Sequence, residues 1–191
     1  MRRFVVAVLA FVSLLALSPV VADAGPTKQV SYTLTGSAEW NALELPSSFA
    51  IDGQVSDGKA NVGTYTGTLT AGTFAGCADN PYGPACAPVT GGTITFALRG
   101  GSITTTVEPG GTVWQVLPMP SQEEYVFEVT LSITSGTHAY AHAQGTLSLH
   151  YDTRRDNLAT DPVTQGPCAF TVGVASCPIS DTGTLTGTIS R

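Results

Sequence analysis

The chain has 191 residues with eight basic and fourteen acidic side chains, a formal charge of −6, and 12% charged against 42% hydrophobic residues. So charge-poor and acidic a chain is unsuited to nucleic acid, whose affinity comes from neutralising phosphates with Lys and Arg. The polar positions are mostly Thr, Ser and Gly, a composition common in extracellular bacterial β proteins.

The first 24 residues have the three parts of a cleavable secretion signal. Arg2 and Arg3 lead, Phe4 to Leu17 form an apolar run broken only by Ser13, and Ala22-Asp23-Ala24 follows Pro19 with small residues at both positions read by a signal peptidase. The run falls short of the ~20 residues that span a bilayer. Cleavage after Ala24 would leave 167 residues. Without Arg2, Arg3 and Asp23 these carry six basic and thirteen acidic side chains, a formal charge of −7. One secreted domain, residues 25–191, is expected, with no membrane insertion of the mature chain.

Alternation with period two then recurs along the chain, the mark of half-buried antiparallel strands. Val30–Thr35, Phe49–Val55 and Gly63–Thr70 come first. Cys77 and Cys86 follow, nine positions apart, enclosing the turn-forming run Ala-Asp-Asn-Pro-Tyr-Gly-Pro-Ala. Thr93–Leu98 and Ser102–Val107 are the next strands, and Leu117-Pro118-Met119-Pro120 reads as a loop. Tyr125–Thr134 shows the cleanest pattern, with Tyr125, Phe127, Val129, Leu131 and Ile133 on one face. His138–Tyr151, Phe170–Val174 and Gly183–Ile189 complete the set.

Cys168 and Cys177 repeat the spacing of Cys77 and Cys86. In an exported chain this predicts two local disulfides, each closing a ten-residue loop at a gain of roughly 2–3 kcal/mol. Zinc ligands usually pair two to four residues apart, so no metal is expected. Nine or ten modest strands without helical interludes predict an antiparallel β-barrel of about 8–10 strands, with a β-sandwich as the alternative. Gly53, Gly67, Gly145 and Gly187 lie inside strand patterns, where glycines accommodate the coiling of a barrel.

All three histidines lie in one stretch, residues 136–151. Read as a continuous strand, it puts His138, Tyr140, His142 and His150 on one face with Gln144, Thr146 and Ser148. Histidines four apart on a strand are ~13 Å apart, too far to share a metal. The face is therefore solvent-exposed or turned to a ligand cavity, which makes these four the candidate ligand-binding residues. His150 and Asp152, two apart on one face, form a weaker candidate acid–base pair, and Glu123, Glu124 and Glu128 a carboxylate group.

Within this stretch, Gly136-Thr137-x-x-Tyr140-x-x-Ala143-x-Gly145 resembles the Gly-Ser/Thr-Gly-x-Phe/Tyr-x-x-Ala-x-Gly pattern of allene oxide cyclase-type barrels, a group that includes the dirigent proteins and small secreted bacterial proteins. His138 stands where that pattern has its second glycine. The resemblance implies an eight-stranded antiparallel barrel with a central cavity. No catalytic position of that family maps onto this chain, so no catalytic residue is assigned.

No nucleophile elbow, zinc-protease helix, phosphate loop or dinucleotide fingerprint is present, so no cofactor is expected. The leading expectation is a non-catalytic secreted barrel that binds a small apolar ligand or a cell-surface component. A cyclase- or isomerase-like enzyme using Tyr140 or His142 in the barrel cavity is one alternative. A structural envelope protein is the other.

Overall fold

The computed structural model describes residues 26–41, 47–77, 82–83, 85–117, 122–156 and 179–191. The expected signal segment, the Cys168–Cys177 loop, the strand at 170–174 and residues 118–120 of the expected loop lie outside the described residues. Among the described residues there are ten strands: β1 Lys28–Asn41, β2 Ser47–Ser56, β3 Asn61–Ala71, β4 Ala75–Gly76, β5 Ala85–Leu98, β6 Gly101–Val107, β7 Thr112–Leu117, β8 Gln122–Gly136, β9 Thr146–Asp156 and β10 Ile179–Ile189.

All the pairings are antiparallel, and they run β3-β2-β1-β10-β9-β8-β6-β5, with β3 also paired to β5. That last pairing closes the sheet on itself. The fold is thus a barrel and not a sandwich. β6 and β7 occupy one position in the ring: β6 pairs with one half of β5 and of β8, and β7 with the other half of each. Pro109 explains the break between them, since it has no N–H to give a ladder. Glu108 N–H to Thr130 and Val89 N–H to the Gly111 carbonyl, both 2.8 Å, hold the interruption against the wall. The result is an eight-stranded closed barrel.

An eight-stranded barrel is just wide enough for its own side chains to fill it. Here the inward residues are Thr-flanked Leu, Ile, Val and aromatic side chains. Leu34, Ile94, Phe96, Ile103, Leu131, Leu147 and Leu185 are each at most 1% exposed. The outward positions between them are mostly Thr and Ser, which favour the pleated backbone without adding charge.

The two ends differ. Asn41, Ser47, Ala71, Ala85, Leu117, Gln122, Asp156 and Ile179 all lie at one end, which carries the longer connections. The other end, the tight-turn end, carries the short turns at 57–60 and 99–100 and also the 137–145 connection.

The structure corrects the histidine stretch. Residues 138–151 are not one strand: His138–Tyr140 form a 3-10 turn, Gln144 makes an isolated bridge to Ser190, and β9 begins only at Thr146. The cause is local. His138 has φ +52°, a left-handed conformation that ends an extended run and that β-carbon sterics make costly for any residue but glycine. It is the position where the resembled pattern has glycine. Other strands are longer than read: β5 starts at Ala85, β9 runs to Asp156 and β10 starts at Ile179, while β7 falls in a segment that had no strand reading.

Cys77 and Cys86 are disulfide-bonded, with 5.9 Å between their α-carbons. Cys86 belongs to β5 and Ala75 pairs with it, so the bond ties the loop to a barrel strand. Among the described residues no helix is long and apolar enough to cross a membrane.

Candidate functional site

One row of inward positions crosses six strands, beginning at the end with the longer connections on β8 to β10 and passing toward the other end on β2 and β3. It runs Tyr125 (β8), Thr153 (β9), Asp181 (β10), Gly36 (β1), Gly53 (β2) and Tyr65 (β3), each directly opposite the next. The two glycines leave a gap in the wall of side chains, and Tyr65 fills it. A β-carbon on Gly36 would sit 2.6 Å from the Tyr65 hydroxyl and 2.8 Å from the Gly53 α-carbon. Tyr151 repeats the device one step along, where a β-carbon on its partner Gly183 would sit 2.8 Å from its ring.

Laid over glycines, the two rings bring their hydroxyls to 2.9 Å, and Tyr151 reaches Asp181 Oδ2 at 2.5 Å. A phenol has one proton. Tyr151 gives its own to Asp181, so Tyr65 donates to Tyr151, and the chain runs Tyr65 to Tyr151 to Asp181. All three are buried, Asp181 at 2% exposure. Its second oxygen, Oδ1, has no hydrogen-bond partner within 3.5 Å, and the Thr153 hydroxyl acts on the carboxylate only from beyond that distance. A buried carboxylate oxygen left unpaired costs on the order of 1–3 kcal/mol or more.

The electrostatics follow from that burial. Burial raises the Asp181 pKa above the usual carboxylate range, outweighing the Tyr151 and Thr153 hydroxyls that favour its ionised form; the Asp152 and Asp52 charges add to the rise. Burial likewise pushes the Tyr65 hydroxyl up to about 12, and Tyr151 higher still, with the Asp181 charge contributing. Both tyrosines remain neutral donors across the accessible pH range.

An aromatic cluster packs around Tyr125, which lies in the same row as Asp181, two strands away. Phe49 packs edge-on against Phe127 (centroids 4.8 Å apart) and Tyr125 (5.6 Å), and Phe74 packs on Tyr125 (5.7 Å). Tyr65 and Tyr151 meet edge-to-face at 6.1 Å. The arrangement is a buried carboxylate with one unpaired acceptor oxygen and a fixed phenol donor, with an aromatic cluster two strands away in the same row. Such a group accepts a hydrogen bond from, or exchanges a proton with, a molecule that is otherwise apolar.

The residues selected from sequence are scattered. His138 and His142 are exposed at the tight-turn end. Tyr140 is buried there and belongs to the apolar core cluster, with the Arg191 guanidinium 4.3 Å from its ring centroid. His150 is on the outer wall of β9. It reaches Glu128 directly opposite on β8, Nδ1 to Oε1 3.5 Å, rather than Asp152 along its own strand. A cross-strand neighbour is ~5 Å away and a same-face residue on one strand ~6.8 Å, which decides between the two. Glu124 and Asp152 both have raised pKa values, mainly from burial.

Sequence reasoning missed Asp181. Its signal was parity: Asp181, Gly183, Leu185, Gly187 and Ile189 alternate, and extending the last strand back by two residues puts the carboxylate on the core face. Among the described residues no group of three or more His, Cys, Asp or Glu is placed to hold a metal ion.

No protein-family model matches the chain, and no curated protein matches it in sequence. Among solved structures, a pterocarpan synthase dirigent protein superposes with a TM-score of 0.46 at 12% identity, covering 92% of this chain and 96% of that one. A pyocyanin demethylase superposes with a TM-score of 0.42 at 13% identity, covering 83% of this chain and 98% of the other. Both are barrels.

Proposed function

We propose that this protein binds a small, largely apolar molecule bearing a hydrogen-bond donor, such as a phenol or alcohol, at the end of the barrel with the longer connections. Asp181 anchors the donor, and Phe49, Tyr125 and Phe127 contact the apolar body. One observation carries the reading: Asp181 Oδ1 is a buried acceptor with no partner, and a ligand hydroxyl is the group that would satisfy it. The middle of the barrel is filled by side chains, so the site is confined to this end. The Cys77–Cys86 bond and the signal-like first 24 residues support action outside the cytoplasm.

A matched pair of probes tests the reading. 2-Naphthol and 2-methoxynaphthalene have the same ring system, and only the first donates a hydrogen bond. Calorimetric titration should show preference for the naphthol, and the preference should vanish in Asp181→Leu.

A second reading, a proton-transferring enzyme of the cyclase or isomerase kind, has one observation in its favour. The raised Asp181 pKa and its 2.5 Å contact with Tyr151 describe a carboxyl poised to exchange a proton. Turnover of a bound compound, abolished in Asp181→Asn while binding persists, would select this reading over simple binding.

A further inference from the structure

The outer wall carries a second, independent feature. Six outward side chains of β8, β9 and β10 form a grid of two rows: Glu128, His150 and Thr184 lie opposite one another, and Thr130, Ser148 and Thr186 do the same one pleat away. Neighbours in a row are ~5 Å apart and the rows ~6.8 Å apart. The Pro109-Gly110-Gly111 interruption rises along one side, and together they enclose a groove of about 410 Å³. Every side chain of the grid is polar, and four of the six are hydroxyls.

The disulfide loop lies beside the groove, where Tyr82 reaches two of its lining residues, Glu128 and His150. Tyr82 packs against Trp114 with centroids 5.2 Å apart and ring planes inclined at 55°, lies 6.4 Å from the His150 ring, and donates its hydroxyl to Glu128 Oε1 at 3.1 Å. Tyr82 and Trp114 are both partly exposed. Glu128 is thereby fixed from two sides, by Tyr82 and by His150.

We propose that this groove binds a neutral oligosaccharide. Hydroxyl side chains both donate and accept, so a grid of them suits a ligand whose own groups do both. Tyr82 and Trp114 offer amphipathic ring surface of the kind that meets the C–H faces of a sugar. An anion would face the Glu128 carboxylate. A polyamine would find a single carboxylate already engaged by Tyr82. An apolar ligand would find no apolar side chain in the grid. The groove is on the outside of the wall that carries Asp181 inside, so the two sites are separate.

The test uses the full mature chain with cellohexaose, xylohexaose and chitohexaose, followed by calorimetry and by amide chemical shifts. At least one should bind with a Kd on the order of 1 mM or tighter and shift the amides of residues 109–111, 128–130, 148–150 and 184–186. The variant Ser148→Ala/Thr186→Val should weaken it at least about tenfold, and Tyr82→Ala similarly, while Asp181→Asn leaves it unchanged. These are outer-wall substitutions, and thermal melts check that each variant is folded. Absence of binding by all three sugars, shifts confined to other surfaces, or affinity unchanged in both outer-wall variants would overturn the proposal. Preferential, salt-sensitive binding of spermine would overturn it as well.

Discussion

Tyr151 donates its hydroxyl proton to Asp181 across 2.5 Å inside the barrel, and the other carboxylate oxygen is buried with no hydrogen-bond partner within 3.5 Å. A wall that otherwise buries Leu, Ile, Val and aromatic side chains thus retains one carboxylate whose raised pKa reflects incomplete compensation. This carboxylate and the glycine, turn and disulfide devices around it each have a measurable consequence.

The first concerns pH. The folded pKa of Asp181 is raised above the unfolded value of about 3.9, so the folded state binds its proton more tightly. Its contribution to stability is fully present below the unfolded pKa and is lost as pH rises through the folded pKa. Asp181→Asn removes this dependence. Denaturant titrations from acid to neutral pH should therefore show the Asn variant gaining stability relative to the native chain as pH rises. A constant difference across that range would contradict the shift.

The second concerns the glycine row. Gly36→Ala places a methyl 1.9 Å from the Asp52 carbonyl oxygen and against the Gly53 backbone and the Tyr65 hydroxyl, and the two backbone groups cannot withdraw without opening the β1–β2 pairing. A loss of roughly 1–3 kcal/mol or more is expected, as for an overpacked core. Tyr151→Phe deletes one hydroxyl and leaves the carboxylate less compensated, at an expected cost of about 1–3 kcal/mol. Urea midpoints measure both.

The third concerns the turn at the other end. His138 holds φ +52°, which costs a residue with a β-carbon roughly 1–2 kcal/mol, while glycine loses about 0.4–1 kcal/mol through its freer unfolded chain. His138→Gly should thus stabilise by up to ~1.6 kcal/mol. The melting temperature should rise by a few degrees, and a decrease would argue against the left-handed conformation.

The fourth concerns the staple. Cys77→Ser/Cys86→Ser should cost roughly 2–3 kcal/mol and loosen Tyr82 from Trp114 and Glu128. Near-ultraviolet circular dichroism should report the change in the Tyr82–Trp114 contact, whereas an unchanged spectrum would show that the loop is held without the bond.

How much of this was legible in the sequence depends on where the information resides. The barrel was legible because alternation such as Tyr125 to Ile133 is a local signal, and closure followed from the interior glycines and the resemblance at 136–145. The pairing of Cys77 with Cys86 followed from spacing and the expected compartment. The candidate site was not legible. Asp181, Tyr151 and Tyr65 are up to 116 positions apart in the chain and meet only through strand register, across Gly36 and Gly53 whose role appears only when neighbours are known. The histidine stretch misled because composition suggested a strand through His138, and a single left-handed residue ended it.

The most direct test of the central claim is calorimetric titration of the native chain and Asp181→Leu with 2-naphthol and 2-methoxynaphthalene. The account predicts that the native chain prefers the naphthol by at least about tenfold, the value of one hydrogen bond to a buried charged acceptor, and that the preference disappears in the variant. Equal binding of the two probes, binding of neither, or a preference that survives loss of the carboxylate would contradict it.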